Sequence, residues 1–309
     1  MFFLIKYLIR LWRRRQQPQQ PAETEPEASS REPRTRARRV APAGPSAAAR
    51  GPLAVLAHEL RYDLKTSLRN PRARFVTFLF PVLLLVIFNS AFGGGHTNIA
   101  GQQITLARFY VPGIMTLSIV MGSYGMLVQS ITVLRETGVL KRRRATPVPP
   151  GILIAGQALT TVVTVGITVA ILLAVAKVGY GIGFAPGAIA AIACTGVLAT
   201  LACACVGFLV SSLIGSPEAA MPVVQATMLP LWFLSGVFIP MSNLSAGLRA
   251  VGDAFPVEHA ANSLHLASVS SSFGGALDGT DLLVLAAWAL GAAALAAWRF
   301  SWLPSTAKA

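Results

Sequence analysis

Six long apolar runs dominate the chain, at about 75–92, 109–134, 152–176, 187–214, 221–239 and 282–298, with short connections between them except for a large loop at 241–280. Crossing about 30 Å of hydrocarbon takes roughly 20 residues of helix, so the pattern predicts six transmembrane helices. Pro81 lies inside the first, and 109–134 is long enough to span with tilt or to protrude. Ahead of them Leu53, Leu56, Leu60, Leu64 and Leu68 recur every three or four residues. His58, Glu59, Arg61, Asp63, Lys65 and Arg69 take the other face. This spacing predicts an amphipathic helix over 53–71 that lies in the plane of the membrane interface. It ends at Arg69-Asn70-Pro71, because the residue before a proline avoids the helical region.

Residues 16–52 hold seven of the twenty prolines among Gln, Ala, Glu, Ser and Arg. Such a segment buries too little apolar surface to offset its ordering entropy, so 1–52 is expected to be a basic, mostly disordered extension. Its first residues place Lys6, Arg10, Arg13 and Arg14 on one helical face. They read either as a surface-lying helix on anionic lipid headgroups or as an unstructured tail.

Composition fits this division: 54% hydrophobic and 12% charged residues, with a mean hydropathy of +0.60, against about 25% charged in soluble domains. The net charge of +14 does not indicate nucleic-acid binding, because 16 of the 26 Lys and Arg fall in the first 80 residues. A further group, Arg135 and Lys141–Arg144, occupies the loop between the second and third runs. The connections after the first and third runs contain only Arg108 and Lys177. The positive-inside rule therefore predicts both termini in the cytoplasm and an external loop at 241–280.

Little on the chain suggests catalysis. A complete G-x-x-x-x-G-K-[ST] pattern is absent, so no nucleotide site of that kind is expected. Glu258, His259 and His265 are too sparse a set to predict a metal site. Cys194, Cys203 and Cys205 lie in one apolar run and read as core residues. No Asp, Glu, Lys or Arg sits clearly at the middle of a span, where the deep polar residues are Gln129, Gln157 and Gln225 with Ser and Thr. Ion-driven transport needs ionisable groups at depth. Any transport is therefore expected to draw its energy from an ATPase on the cytoplasmic face. Gly113, Gly122, Gly125, Gly156, Gly166, Gly196 and Gly207 read as helix-packing positions. The basic loop, bounded by Pro147, Pro149 and Pro150, has two readings. It is a rigid element that carries a push from a docked partner, or only the determinant of orientation.

Three segments resemble the permease subunits of ABC-2 type exporters, the group that includes daunorubicin-resistance and polysaccharide or teichoic-acid export permeases. One is Ser67–Pro71 running on to Phe80-Pro81. The second, Glu136–Pro147 (ETGVLKRRRATP), is similar to the coupling pattern E-x-G-x-L-K-R-L-R-x-[TS]-P, with Arg143 where the family carries leucine. The third is Leu234–Pro240 (LSGVFIP) followed by Phe255–Ala260 (FPVEHA). The likeness covers about 53–305 and implies an all-α integral membrane fold: six transmembrane helices over 72–305, an interface helix before them, both termini cytoplasmic.

By that resemblance Glu136, Gly138, Leu140, Lys141, Arg142, Arg143, Arg144 and Pro147 belong to the ATPase-coupling element. Leu60, Leu64, Leu68, Arg69, Asn70 and Pro71 belong to the interface helix. Pro240, Phe255 and Pro256 belong to an external re-entrant loop, and spans two and five line the path. The chain itself would bind no cofactor, with ATP and magnesium held by a cytoplasmic ABC ATPase. Other implied partners are a second permease chain, in a homodimer or heterodimer, and membrane lipids; the expected location is a bacterial plasma membrane. The implied function is export of an amphipathic, drug-like or lipid-linked substrate, conferring antibiotic resistance where the substrate is a drug. The rival readings are a non-transporting membrane anchor or sensor, and an integral-membrane enzyme.

Overall fold

The computed structural model describes residues 75–139 and 150–299, together with Leu60, Arg61, Lys65 and Arg69. Its helices are α1 (Phe75–Phe92), α2 (Leu106–Glu136), α3 (Pro150–Tyr180), α4 (Pro186–Leu213) and α5 (Pro217–Leu234). A short α6 (Ala246–Gly252), α7 (Pro256–Val269) and α8 (Gly279–Arg299) follow. Five helices among the described residues, α1, α2, α3, α4 and α8, are long and apolar enough to cross a membrane. With these the chain is a multi-pass membrane protein.

The fifth apolar run behaves differently from the others. Its helix α5 carries Glu218, Gln225 and internal Pro222 and Pro230, and it is not among the five. It also stops at Leu234, short of the end of the run, because Gly236 turns the backbone to a φ of +69°. The connection after α1 is a small antiparallel hairpin, β1 (His96–Ile99) with β2 (Gln102–Thr105). Ala100 at φ +49° and Gly101 at φ +77° form its tip. Two successive positive φ values match the twist of paired strands, which is why this turn closes so tightly.

α2 and α4 form the centre of the bundle. α2 is buried almost throughout from Phe109 to Val120, and its hydroxyls bond back to their own helix: Thr116 to the Pro112 carbonyl at 3.0 Å and Thr132 to that of Val128 at 2.8 Å. That back-bonding satisfies polar groups where no water is at hand. The helix widens to a π turn over Met121–Gly125. α4 is rich in alanine and buries Ala188, Ala191, Ala199 and Ala202, so α7 and α8 both pack closely on it. α1 and α8 instead expose apolar side chains such as Leu79, Ile87, Leu283 and Leu290. In a membrane protein such faces meet lipid.

The glycines divide by what surrounds them. A Cβ at Gly113 would collide with the Val237 carbonyl, and one at Gly207 would sit 3.2 Å from the Tyr124 carbonyl. Gly166 faces open space, and Gly196 has only the Ile119 Cδ1 methyl at 3.9 Å. A Cβ at Gly122 would lie 2.8 Å from Val165 Cγ2 and one at Gly125 3.2 Å from Met228 Cε, so these are also close-approach positions, against side chains in place of backbone. Gly113→Ala is therefore expected to lower stability by about 1–3 kcal/mol, whereas Gly166→Ala stays within about 0.5 kcal/mol. Thermal unfolding midpoints of the detergent-purified proteins measure the difference.

Candidate functional site

Two polar constellations hold the ends of the bundle. The first grows from the last turn of α2. Arg135 is only 4% exposed, yet its guanidinium meets three acceptors. Its Nε donates to Glu136 Oε1 at 2.8 Å, its Nη1 to the Ser211 carbonyl at 2.9 Å, and its Nη2 to the Ile214 carbonyl. The last carbonyls of a helix have no partner within it, and the helix dipole makes that end negative. Arg135 supplies donors and charge there, so the end of α2 is tied to the end of α4.

Directly after this clamp, Gly138 takes a φ of +70° and its N–H donates to the Arg135 carbonyl at 3.0 Å. It stops α2 at the point where the basic loop begins. Among the residues of the coupling pattern, Glu136 is half-buried against Arg135 and Gly138 is this stop. Leu140, Lys141, Arg142, Arg143, Arg144 and Pro147 lie outside the described residues. In the amphipathic segment Leu60 is helical and half-buried, and Arg61, Lys65 and Arg69 are helical and exposed. Leu64, Leu68, Asn70 and Pro71 lie outside the described residues.

The second constellation lies at the opposite end, where the chain after α5 folds back into the bundle. Phe255 and Pro256 start α7 at depth: Val257 packs with Val120 and Tyr124, half-way along α2. From there α7 rises to Ser268, whose carbonyl accepts from Arg108 Nε at 3.1 Å and Nη2 at 2.7 Å. Arg108, at the start of α2, also lies over the Phe184 ring at 5.6 Å. Pro240, half-buried, precedes the 3-10 turn Met241–Asn243. Phe255 stacks on Trp288 of α8, with ring centroids 6.4 Å apart. Between α2, α4, α5, α7 and α8 lies a cavity of about 180 Å³, lined by Val120, Tyr124, Met228, Phe255, Val257 and Trp288 among others. The Tyr124 hydroxyl pairs with Thr227 Oγ1 at 2.8 Å.

Of the three residues weighed as a metal set, the fold keeps Glu258 beside His259 and separates His265 from both. His265 stacks on Phe109 with centroids 4.5 Å apart and faces the Gly236 carbonyl. Burial pushes its imidazole down to about 4, against that hydrogen bond. His259 points to the other side of α7, with Nδ1 at 2.8 Å from Asp281 Oδ1 and 3.4 Å from Glu258 Oε2. Its Nε2 is 2.9 Å from the Asp253 carbonyl. Asp281 Oδ2 also accepts from Asn262 Nδ2 at 2.9 Å and Ser263 Oγ at 3.0 Å. Glu258, His259 and Asp281 present ligand-type atoms within 4.8 Å of one another. Both ring nitrogens and both Asp281 oxygens are engaged within the protein. Burial pushes the Glu258 carboxyl up to about 7, opposed by His259 and assisted by Asp281 and Asp253. Burial alone would lower His259, but its bonds to Asp281 and the Asp253 carbonyl, with the Glu258 charge, carry it above its usual value.

Arg135, Arg108 and Asp281 are the residues that sequence reasoning missed as parts of a site. Arg135 and Arg108 counted only toward orientation, and Asp281 fell just before the sixth apolar run. An acid one residue outside a predicted span was the available signal. Arg135→Lys is expected to lower stability by about 2 kcal/mol or more, because one ammonium cannot reproduce a planar fork on two carbonyls and a carboxylate. Denaturation midpoints of Arg135→Lys and wild type in one detergent test this.

A family model described as ABC-2 type transporter matches residues 57–267 of the chain. No curated protein matches it.

Proposed function

The chain belongs to the ABC-2 type transporter family, and from this premise we propose that it is the permease subunit of an exporter energised by a separate cytoplasmic ATPase. It is a transmembrane permease component of an ABC transporter. The proposal extends to direction, energy and cargo: an amphipathic, drug-like or lipid-linked substrate leaves the cytoplasm or inner leaflet of a bacterial plasma membrane.

The observation that carries this reading is the Arg135 clamp. The loop of Glu136–Pro147 continues directly from α2, and Arg135 bonds the end of α2 to the carbonyls of Ser211 and Ile214 at the end of α4. A displacement of the loop by a docked ATPase therefore moves two central helices together. α4 in turn carries α7 and α8, which border the cavity beside Tyr124 and Trp288. Lys141–Arg144 follow Glu136 closely in the sequence, so the positive-inside rule supports a cytoplasmic position for this end of α2. The apolar cavity lining supports a substrate with a hydrophobic part. A second permease chain would complete the transport unit, with one ATPase on each half.

Affinity purification of the full chain from native membranes in mild detergent, with mass spectrometry of what co-purifies, tests the partner. An ATPase recovered at about one per chain supports the proposal. A clean preparation from membranes that express candidate ATPases favours a membrane anchor instead. Glu136→Ala, or reversal of Lys141–Arg144 to acids, is expected to cut export about tenfold or more while leaving membrane insertion intact. That is the scale of one lost charge-assisted contact. Export at the parental rate by both variants would remove the coupling role.

A further inference from the structure

α7 is held against α8 by two kinds of contact. Phe255 on Trp288 is apolar and indifferent to pH. His259 on Asp281 is polar, and its geometry is selective for one state of the ring. Nδ1 faces a carboxylate oxygen at 2.8 Å and Nε2 faces a backbone carbonyl at 2.9 Å. Both oxygens only accept. Neutral imidazole has a single N–H, so in that form one nitrogen would turn a lone pair toward an oxygen lone pair. Imidazolium donates to both.

We propose that Glu258, His259 and Asp281 form a proton-operated latch that holds the returning helix α7 to α8, closed while the His259 ring carries a proton on each nitrogen.

The titratable groups facing His259 are Glu258 on its own helix and Asp281 on α8; Asp253 after α6 meets the ring through its carbonyl and acts by charge on Glu258. α4, packed on the same helix, carries no Asp, Glu, Lys, Arg or His. Arg108, at the start of α2, is engaged at the far end of α7 on the Ser268 carbonyl, and Arg135 and Glu136 pair with each other at the other end of α2. Glu218 of α5 sits in that helix's first turn, and Arg249 of α6 precedes Asp253 without pairing to the cluster among the described contacts. On α8 the only other charge is Arg299, in its last turn.

Both protonatable groups act in one direction. His259 binds its proton more tightly in the fold than in the unfolded chain. Its stabilisation is complete below about pH 6.5 and is lost as the pH rises through its raised value. Glu258 also holds its proton more tightly in the fold. Its contribution therefore turns against the fold as the pH climbs from 4.5 to about 7. An ionised Glu258 then adds a second negative charge beside Asp281. The latch is tight in mild acid and loosens in alkali. It rests on the packing of α7 and α8 and not on the transport reading, so it stands or falls separately from the ATPase partner.

The test uses the full-length chain in lipid nanodiscs, labelled with carbon-13 histidine. Only four histidines are present, and H259Q identifies the relevant signal. Should H259Q fail to fold, H58Q, H96Q and H265Q assign it by elimination. The expected midpoint lies above pH 6.5, and D281N lowers it by about one pH unit or more. The wild-type unfolding temperature falls between about pH 6 and 9, and H259Q, or E258Q if that variant is unstable, flattens the fall. A midpoint at or below 6.5 would overturn the proposal, as would a D281N value equal to wild type. So would a divalent cation bound one per chain in wild type and lost in D281N, because the cluster would then be a metal site.

Discussion

Inside hydrocarbon every backbone polar group must find its partner within the protein, and the arrangement of this chain follows from where that requirement is hardest to meet. Helix interiors satisfy themselves; helix ends do not. At one end of the bundle the problem falls on α4, whose final carbonyls at Ser211 and Ile214 are taken by Arg135 from α2. At the other it falls on α7, whose late carbonyl at Ser268 is taken by Arg108, again from α2. The two arginines of one helix therefore close the ends of two others. This makes α2 the structural reference of the bundle, and its near-complete burial agrees with that role.

Close packing supplies what directional bonds do not. In a bilayer the hydrophobic effect gives little preference for one helix neighbour over another, so contact area and backbone proximity decide. The alanine-rich α4 lets α7 and α8 approach along its length. Gly113 admits the Val237 carbonyl and Gly207 the Tyr124 carbonyl. Bulk enters where the helices part: Phe255, Trp288 and Met228 border the cavity, and the π turn at Met121–Gly125 lies on the same stretch of α2. The bundle is tight where α7 and α8 pack along α4 and open beside Tyr124.

The Arg135 clamp and the His259–Asp281 cluster sit toward opposite ends of this frame. Glu136 is joined to α4 through one guanidinium, that of Arg135. α4 in turn carries the helices that Glu258, His259 and Asp281 join. The long π-interrupted α2 passes both the clamp and the cavity, and π turns of this sort recur at functional positions. This member of the ABC-2 family is thus a bundle with two polar ends, Arg135 with Glu136 at one and Glu258, His259 and Asp281 toward the other, and an apolar interior between them.

The sequence by itself determined the number and length of most crossing segments, because an apolar run either is or is not long enough to span the bilayer. α1, α2, α3, α4 and α8 stand close to where the hydropathy pattern placed them. It also marked the loop after Glu136 as distinctive, through charge and bounding prolines. It did not reveal the hairpin at His96–Thr105, whose Ala100-Gly101 tip carries no strong turn signature, nor the early end of α5 at Leu234. Above all it did not disclose that Arg135, Arg108 and Asp281 meet partners 76, 160 and 22 residues away. Hydropathy is a local property of a segment, readable from its own residues. The pairing of a charge with a carbonyl on another helix depends on how helices pack, which only the tertiary structure decides.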